Sequence, residues 1–345
     1  MKTIKPQQFL DTAAPSPELI HLRARNSQLE HQVATLQEQR GKQSEAMTRV
    51  LEAVEAAEPP KITFKADTKR AGSEVAMVAH ATDWHIGAVT NPAHVEEFGE
   101  FSWKIAKERV ELFASKLIDK ATTMRQSYRV SECHVIGTAD WVSGDIHEEL
   151  VRTNEFPAPV QAVNAGFLLG QFISTLAPHF KIVHAHILNA GNHDRITRKP
   201  QCEQGGVNSW GYVTTAIAGQ YLSRIENVHY RAYEGSSFVA NVAGTRYLCM
   251  HGDGIPAHMG VPHFGMDRLV MREALRRMHA EEKKFDAVVC GHWHVANNLM
   301  FCRYGGSLSG TTAHDHKYAR NARPHQTGWF VHPKHGDFDW TRWYL

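Results

Sequence analysis

Five short segments each close an apolar run with side chains that bind metal: Asp83-Trp84-His85, Asp140, Asn192-His193-Asp194, His251-Gly252-Asp253 and His292-Trp293-His294. Carboxylate, imidazole and amide donors in that mixture suit two divalent ions, which together can grip a phosphate and activate a water. The pattern therefore predicts one binuclear centre and hydrolysis of a phosphoester. In Asp83-x-His85 and His292-x-His294 a spacing of two puts both side chains on one side of an extended segment, so each pair can face one ion. A carboxylate placed after a strand, as Asp140 is, can bridge two ions through its two oxygens, which a histidine cannot do. Asn192 adds a neutral carbonyl oxygen and His251 an imidazole. Two divalent ions carry about +4 and the carboxylates of Asp83 and Asp140 return about −2, leaving roughly +2 to hold a phosphate oxyanion and a bridging hydroxide.

Taken in order, Asp-x-His, Asp, Gly-Asn-His-Asp, His-Gly-Asp and Gly-His-x-His resemble the calcineurin-like metallophosphoesterase superfamily, over residues from about 75 to 310. The resemblance implies that Asp83, His85, Asp140 and His294 hold a first ion and Asp140, Asn192, His251 and His292 a second, with Asp140 bridging. It makes His193 catalytic, stabilising the transition state or protonating the leaving oxygen. Manganese is the first expectation for the metal, and the mixed nitrogen and oxygen donors also suit iron, zinc or nickel. Two departures stand out. Ala139 occupies the place where the family has glycine before the bridging aspartate. The run Asp140-Trp141-Val142-Ser143-Gly144-Asp145 lacks the second aspartate and the arginine of the Ser/Thr phosphatase branch, which disfavours protein dephosphorylation.

Around these segments, Asp145 or Asp194 is expected to orient His193. Arg195, Arg198 and Lys199, and further on Lys317, Arg320 and Arg323, are candidate phosphate contacts, with solvated surface charge as the competing reading. His147, His314 and His316 either line the cleft or are plain loop residues; His184 and His186 alternate along a strand and read as core or interface histidines.

The elements that must position these residues begin near residue 73, where short apolar strands alternate with helices. Val75-Ala76-Met77-Val78-Ala79 and His134-Val135-Ile136 read as strands, as do residues 181–188 running into Asn192. Residues 103–124 form an amphipathic helix with Trp103, Ala106, Val110, Phe113, Leu117, Ala121 and Met124 on one face, and 159–176 a largely apolar one. Further strands are expected at 238–242, 246–250, 287–290, 299–303 and 329–332. The predicted fold is α/β, two packed mixed sheets flanked by helices, an αββα arrangement with the site loops beyond the strand ends.

Before that domain (73–345), the sequence divides into a tail (1–17), a long polar helix (18–57) and a linker (58–72). The helix carries a heptad seam through Leu22, Leu29 and Leu36 at one position and Asn26 and Val33 at the other, and Pro59-Pro60 stops it. A coiled-coil homo-oligomer is the favoured reading; an amphipathic helix packed on its own domain is the alternative.

The chain has 345 residues and a net charge of +2, so bulk electrostatics do not advertise nucleic acid. Its five cysteines are scattered without a Cys-x-x-Cys pair, and Cys133, Cys249 and Cys290 sit in apolar runs as packed thiols. The opening residues lack the apolar core of a signal peptide and no run approaches ~18 apolar residues, so a cytoplasmic, membrane-free protein is expected. Three functions fit. The first is a nuclease resembling the Mre11/SbcD type, similar to DNA exonucleases that phages encode. The second is a phosphoesterase for a nucleotide or other small phosphoester, and the third a non-catalytic scaffold, against which the complete ligand series argues.

Overall fold

The computed structural model describes residues 16–56, 72–201, 203–256, 262–319 and 321–345. The tail up to residue 15, nearly all of the linker, Cys202 and Arg320 lie outside the described residues. Two units are distinct, residues 1–68 and 69–345.

In the first unit, α1 (Pro17–Ala56) is one continuous helix, as the heptad spacing predicts. Its seam residues Leu22, Leu29, Val33 and Leu36 are all exposed. Asn26 bonds Glu30 one turn later on the same helix (2.8 Å).

The second unit is built on two mixed sheets. The strands of the first are β1 (Glu74–Ala81), β2 (Arg129–Gly137), β3 (Ile182–Leu188), β4 (Val228–Tyr233), β10 (His325–His332) and β11 (Gly336–Tyr344). They lie in the order β11-β10-β1-β2-β3-β4, with β1 to β4 parallel. The second sheet takes β5 (Ser237–Val242), β6 (Thr245–Met250), β7 (Ala287–Cys290), β8 (Asn297–Asn298) and β9 (Cys302–Tyr304), ordered β5-β6-β7-β9-β8.

The period-two alternation of a strand decides which layer each residue joins. On β1, Val75, Met77, Ala79 and Ala81 face one core while Ala76 and Val78 face another. The first core lies under α2 (Trp103–Met124) and α4 (Ala158–Leu176). It takes Ala106, Val110, Phe113, Leu117 and Ala121 of α2, the stripe expected from sequence, and Phe113 stacks on Phe172 at 5.2 Å. The second core is the seam between the sheets, where Ile136, Leu188, Trp329 and Val331 meet Phe238, Tyr247, Cys249 and Val289. A third forms where Leu248, Val288 and Tyr304 cover Met266 of α6 (His263–Arg277). The αββα layering thus follows from which sheet face each strand residue occupies.

Several elements went beyond the sequence pattern, among them the strands β4 and β11. Between β3 and β4 lies α5 (Trp210–Leu222), and α6 follows the His251 loop, so the second half is less purely strand-built than its pattern suggests. The stretch 299–303 is not one strand: Leu299 and Cys302 exchange backbone bonds across a turn that joins β8 to β9. One stretch, Ala158–His179, is apolar enough by composition to cross a membrane, and its apolar residues are largely spent in the first core. Cys133, Cys249, Cys290 and Cys302 are buried thiols, and burial pushes Cys133 up to about 12.

Candidate metal centre

Every ligand segment begins where a parallel strand ends: 83–85 after β1, 140 after β2, 192–194 after β3, 251 after β6 and 292–294 after β7. Side chains from both sheets are thereby gathered at one rim of the sandwich, the C-terminal edge where open α/β sheets place ligands. Two short helices lie near the rim, α3 (Glu148–Thr153) and α7 (Ala313–Lys317).

The paired spacings do not work as extended segments. Asp83, His85, His292 and His294 all have positive φ, 52°, 45°, 70° and 58°, as do Ala139 (74°) and Asp140 (53°). Such residues cost about 1–2 kcal/mol each, so the surroundings must hold them there. Asp83 N donates to Ala139 O (3.1 Å), His85 N to Asp140 O (3.1 Å) and Ile86 N to Trp141 O (3.0 Å), lacing the β1 and β2 loops together. Trp84 and Trp141 anchor them, packing edge-on at 5.5 Å in the core, with Trp141 Nε1 donating to Leu188 O (2.9 Å). His292 N donates to both Asp83 oxygens (3.0 Å). Glycine is demanded at two places by closeness: a Cβ on Gly191 would come within 2.3 Å of Asp140 Oδ1, and one on Gly291 within 2.2 Å of Asp83 Oδ2.

The donors converge in two groups, Asp83, His85 and His294 in one and Asp140, His251 and His292 in the other. His85 Nε2 is 3.1 Å from His294 Nε2, and Asp83 Oδ1 is 3.5 Å from the latter. In the second group, Asn192 Oδ1 is 2.9 Å from both His251 Nε2 and His292 Nδ1, and Asp140 Oδ2 is 3.0 Å from His251 Nε2. Ligands about 2.0–2.1 Å from one ion stand roughly 3.0–3.4 Å apart, so these separations fit metal coordination. Asp140 belongs to either side: its donors also group with those of His85 and His193. Its Oδ1 accepts from His193 N (2.9 Å), and its buried Oδ2, apart from the 3.0 Å approach of His251 Nε2, has no polar partner in hydrogen-bond geometry among the described residues, which suits a carboxylate oxygen that faces a cation. The residues present therefore fit two divalent ions.

Electrostatics agree. Burial alone would push the His251 imidazole down, yet Asp140 and Asp83 overcome it and raise it to about 10. A field that holds a proton so firmly is one a metal ion can occupy instead. Its Nδ1 faces Thr138 O (2.9 Å), turning Nε2 inward. Burial, then the neighbouring His193 and His294, push His85 down to about 3, leaving a neutral ring ready to ligate. Burial likewise lowers His292 to about 4.

Asp315 is a functional residue that sequence reasoning missed. Its carboxylate accepts from His294 Nδ1 (3.0 and 3.1 Å), turning Nε2 toward Asp83 and His85. Thr312 holds Asp315 in turn: Thr312 N (3.2 Å) and Oγ1 (2.6 Å) both donate to Oδ2, and Oγ1 accepts from Asp315 N in a capping box at the start of α7. A carboxylate behind a ligating histidine fixes its tautomer and raises its basicity. The Thr312-x-x-Asp315 pattern was the available signal, since it marks a helix start beside the flagged His314 and His316.

The orienting roles come out differently from expectation. His193 is held through Nδ1, which donates to the carbonyl of Ser143 (2.8 Å), and Asp145 is exposed. Asp194 is a staple between loops: its buried carboxylate accepts from the backbone N–H groups of Asp140 (2.7 Å), Trp141 (3.0 Å), Val142 (3.3 Å) and Gly191 (2.8 Å). Burial and the charge of Asp140 push it up to about 7 against the pull of those donors.

The basic candidates divide. Arg195 is half-buried on the loop after Asp194 and bridges to Ser209. Arg198 is spent on Glu148 (3.2 Å), while Lys199, Lys317 and Arg323 are exposed. His147 is exposed with its ring 6.1 Å from that of His193, and His316 sits 3.8 Å from Glu96.

The calcineurin-like phosphoesterase family model matches residues 76–296, a span that holds all seven metal donors and His193. The chain belongs to this family. As a calcineurin-like phosphoesterase it is a metal-dependent phosphoester hydrolase, and its two donor groups match the two divalent ions that family typically binds. No curated protein sequence matches it. Among solved structures it is similar to an archaeal phosphodiesterase (9% identity, TM-score 0.31, covering 78% of this chain and 99% of that one). It is also similar to Vps29 complexed with zinc from Entamoeba histolytica (11%, 0.27, 78% and 98%) and to AQ665 from Aquifex aeolicus (14%, 0.26, 65% and 83%). The assignment rests on the family match.

Proposed function

We propose that this phosphoesterase is a phosphodiesterase acting on nucleic acid, DNA first, with a manganese pair as its metal centre and His193 as its catalytic histidine. The observation that carries the reading is the meeting of both donor groups at Asp140 with His193 beside them, its ring centroid 4.7 Å from that of His85. When bound, the two ions would neutralise phosphate oxygens and lower the pKa of a water. The chain's own residues do the rest. Asp83, His85, Asp140 and His294 would hold one ion, and Asp140, Asn192, His251 and His292 the other. His193, its Nδ1–H committed to Ser143 O, has Nε2 available, and as the imidazolium it would donate from Nε2 to the phosphate and pass that proton to the departing sugar oxygen, leaving the neutral ring.

Support for a polymeric substrate comes from α6, which follows the His251 loop. Arg268, Arg272 and Arg276 are exposed there at four-residue intervals, a row suited to a phosphate backbone, although Arg276 also pairs with Glu273 (2.7 Å). Arg195 and Lys317 are the further phosphate contacts in this reading. The near-neutral charge of +2 favours the second reading, a nucleotide or small phosphoester. The exposed leucines of α1 support a homo-oligomer through that helix in a cytoplasmic enzyme, which would present paired sites to a duplex.

The test is metal-stripped protein supplied with Mn²⁺ and offered bis-p-nitrophenyl phosphate, p-nitrophenyl phosphate, and single- and double-stranded DNA. Diester and DNA cleavage, reduced about 10²- to 10⁴-fold in His193→Ala with metal content unchanged, is the expected outcome. Turnover of the monoester alone would overturn the nuclease reading, and inactivity on every substrate with every metal would return the scaffold.

A further inference from the structure

Away from the catalytic rim, three histidines stand in one row across three neighbouring parallel strands. The register pairs His134 of β2 with His184 of β3, and His184 with His229 of β4. Glu132 lies two residues before His134 and His186 two after His184, so all five occupy the same sheet face. His134 ends three residues short of the β2 terminus at Gly137, about 10 Å along the strand from the loop that carries Asp140.

The row has the marks of a site. Donor atoms of Glu132, His134 and His184 lie within 4.8 Å of one another. The His134 and His184 rings are 4.6 Å apart, and His229, exposed on the edge strand, meets His184 edge-on at 5.1 Å. His134 itself is only 4% exposed, and among the described residues neither of its ring nitrogens has a hydrogen-bond partner. Glu132 Oε2 approaches its Nε2 to 3.5 Å without making a hydrogen bond. Leaving a buried polar group unsatisfied costs about 1–3 kcal/mol, a cost a leucine or phenylalanine at this place would avoid. Burial, with His184 and His186 nearby, keeps the His134 ring neutral down to about pH 3, so its lone pair is available. His186 is engaged elsewhere, its Nδ1 3.2 Å from the Tyr233 hydroxyl.

We propose that Glu132, His134 and His184 form a separate mononuclear site for a divalent transition-metal ion of the zinc class. Two imidazole nitrogens and one carboxylate oxygen are a donor set that zinc takes readily, with a fourth position left for water or for His229. Glu132 Oε2 already stands 3.5 Å from His134 Nε2, and the remaining approach to coordination distance falls to side-chain rotation at Glu132 and His184, both only half-buried. A metal there would tie β2 to β3 by side chains as well as by their ladder, and would satisfy a ring that the protein otherwise buries unpaired.

The experiment counts metal. Full-length wild type, His184→Gln and Glu132→Gln are stripped and equilibrated with Zn²⁺ held at low free concentration by a chelating buffer. Bound zinc per chain is then read by atomic emission, alongside Mn²⁺-dependent hydrolysis. The expected result is a deficit of one zinc per chain in each variant relative to wild type, with unchanged hydrolysis. The difference decides, so the outcome does not depend on how many ions the catalytic rim holds, and absence of hydrolysis in all three proteins would count against the catalytic reading alone. Equal zinc in wild type and variants overturns the site. A deficit of two or more ions with lost hydrolysis overturns it too, because the substitutions would then be acting on the catalytic loops.

Discussion

Replacing Asp315 by asparagine tests whether the carboxylate behind His294 tunes the metal centre. The substitution keeps the volume and removes the charge, and the surrounding bonds make the exchange awkward in both orientations. If the amide NH₂ takes the place of Oδ2, it faces the Thr312 N–H (3.2 Å), donor against donor. If it takes the place of Oδ1, it faces the ring N–H at Nδ1 (3.1 Å), donor against donor, and weakens the hold that keeps the proton off Nε2, the atom that faces Asp83 and His85. Either way the ligand loses basicity or its lone pair. Changes of this kind behind a ligating histidine cost roughly 10- to 100-fold in metal affinity, about 1.4–2.8 kcal/mol. Titrating Mn²⁺ into stripped protein while following diester hydrolysis should move the half-saturating concentration up by that factor, with most of the wild-type rate recovered at saturation. An unchanged titration curve would refute the role of Asp315, and a rate lost at every metal concentration would refute a purely positioning one.

Other perturbations have equally definite outcomes. Ala139→Gly should leave stability within about 1 kcal/mol of wild type in denaturant titrations. Release from positive φ gains ~1–2 kcal/mol, against ~0.8 for the buried methyl and ~0.4–1 for the freer unfolded chain. Ala139→Val should instead destabilise strongly, since a β-branched residue resists that backbone region. His134→Phe should blunt acid unfolding in chelator: the folded ring titrates near 3 and the unfolded one near 6.5, so the native state loses stability as pH falls below about 6.5. By pH 5 that loss is roughly 2 kcal/mol, which the variant should not show. Deleting residues 1–57 should reduce the mass seen by light scattering to that of one chain, whereas an unchanged oligomer would remove α1 as the association element.

The family chemistry of this protein was legible in its sequence because candidate metal donors are carried by side-chain type. Asp83, His85, Asp140, Asn192, His251, His292 and His294 each follow an apolar run, and period two and period 3.6 locate the strands and helices that deliver them. Helix α1 and the face of α2 were equally readable, since their spacing repeats over many residues. Other features depended on three-dimensional approach. The left-handed backbone at the ligand pairs is held by bonds between loops, Asp83 to Ala139 and His85 to Asp140, that join positions more than fifty residues apart. Ser143 orients His193 through a backbone carbonyl, an atom every residue possesses and no sequence can flag. Asp194 proved to be a staple because four N–H groups from two loops point at it, and Asp315 a partner of His294 because α7 brings it there. Side-chain identity and period are local properties of the chain. Convergence of a carbonyl, an N–H or a second carboxylate on a given ring is a property of packing, and only the folded structure decides it.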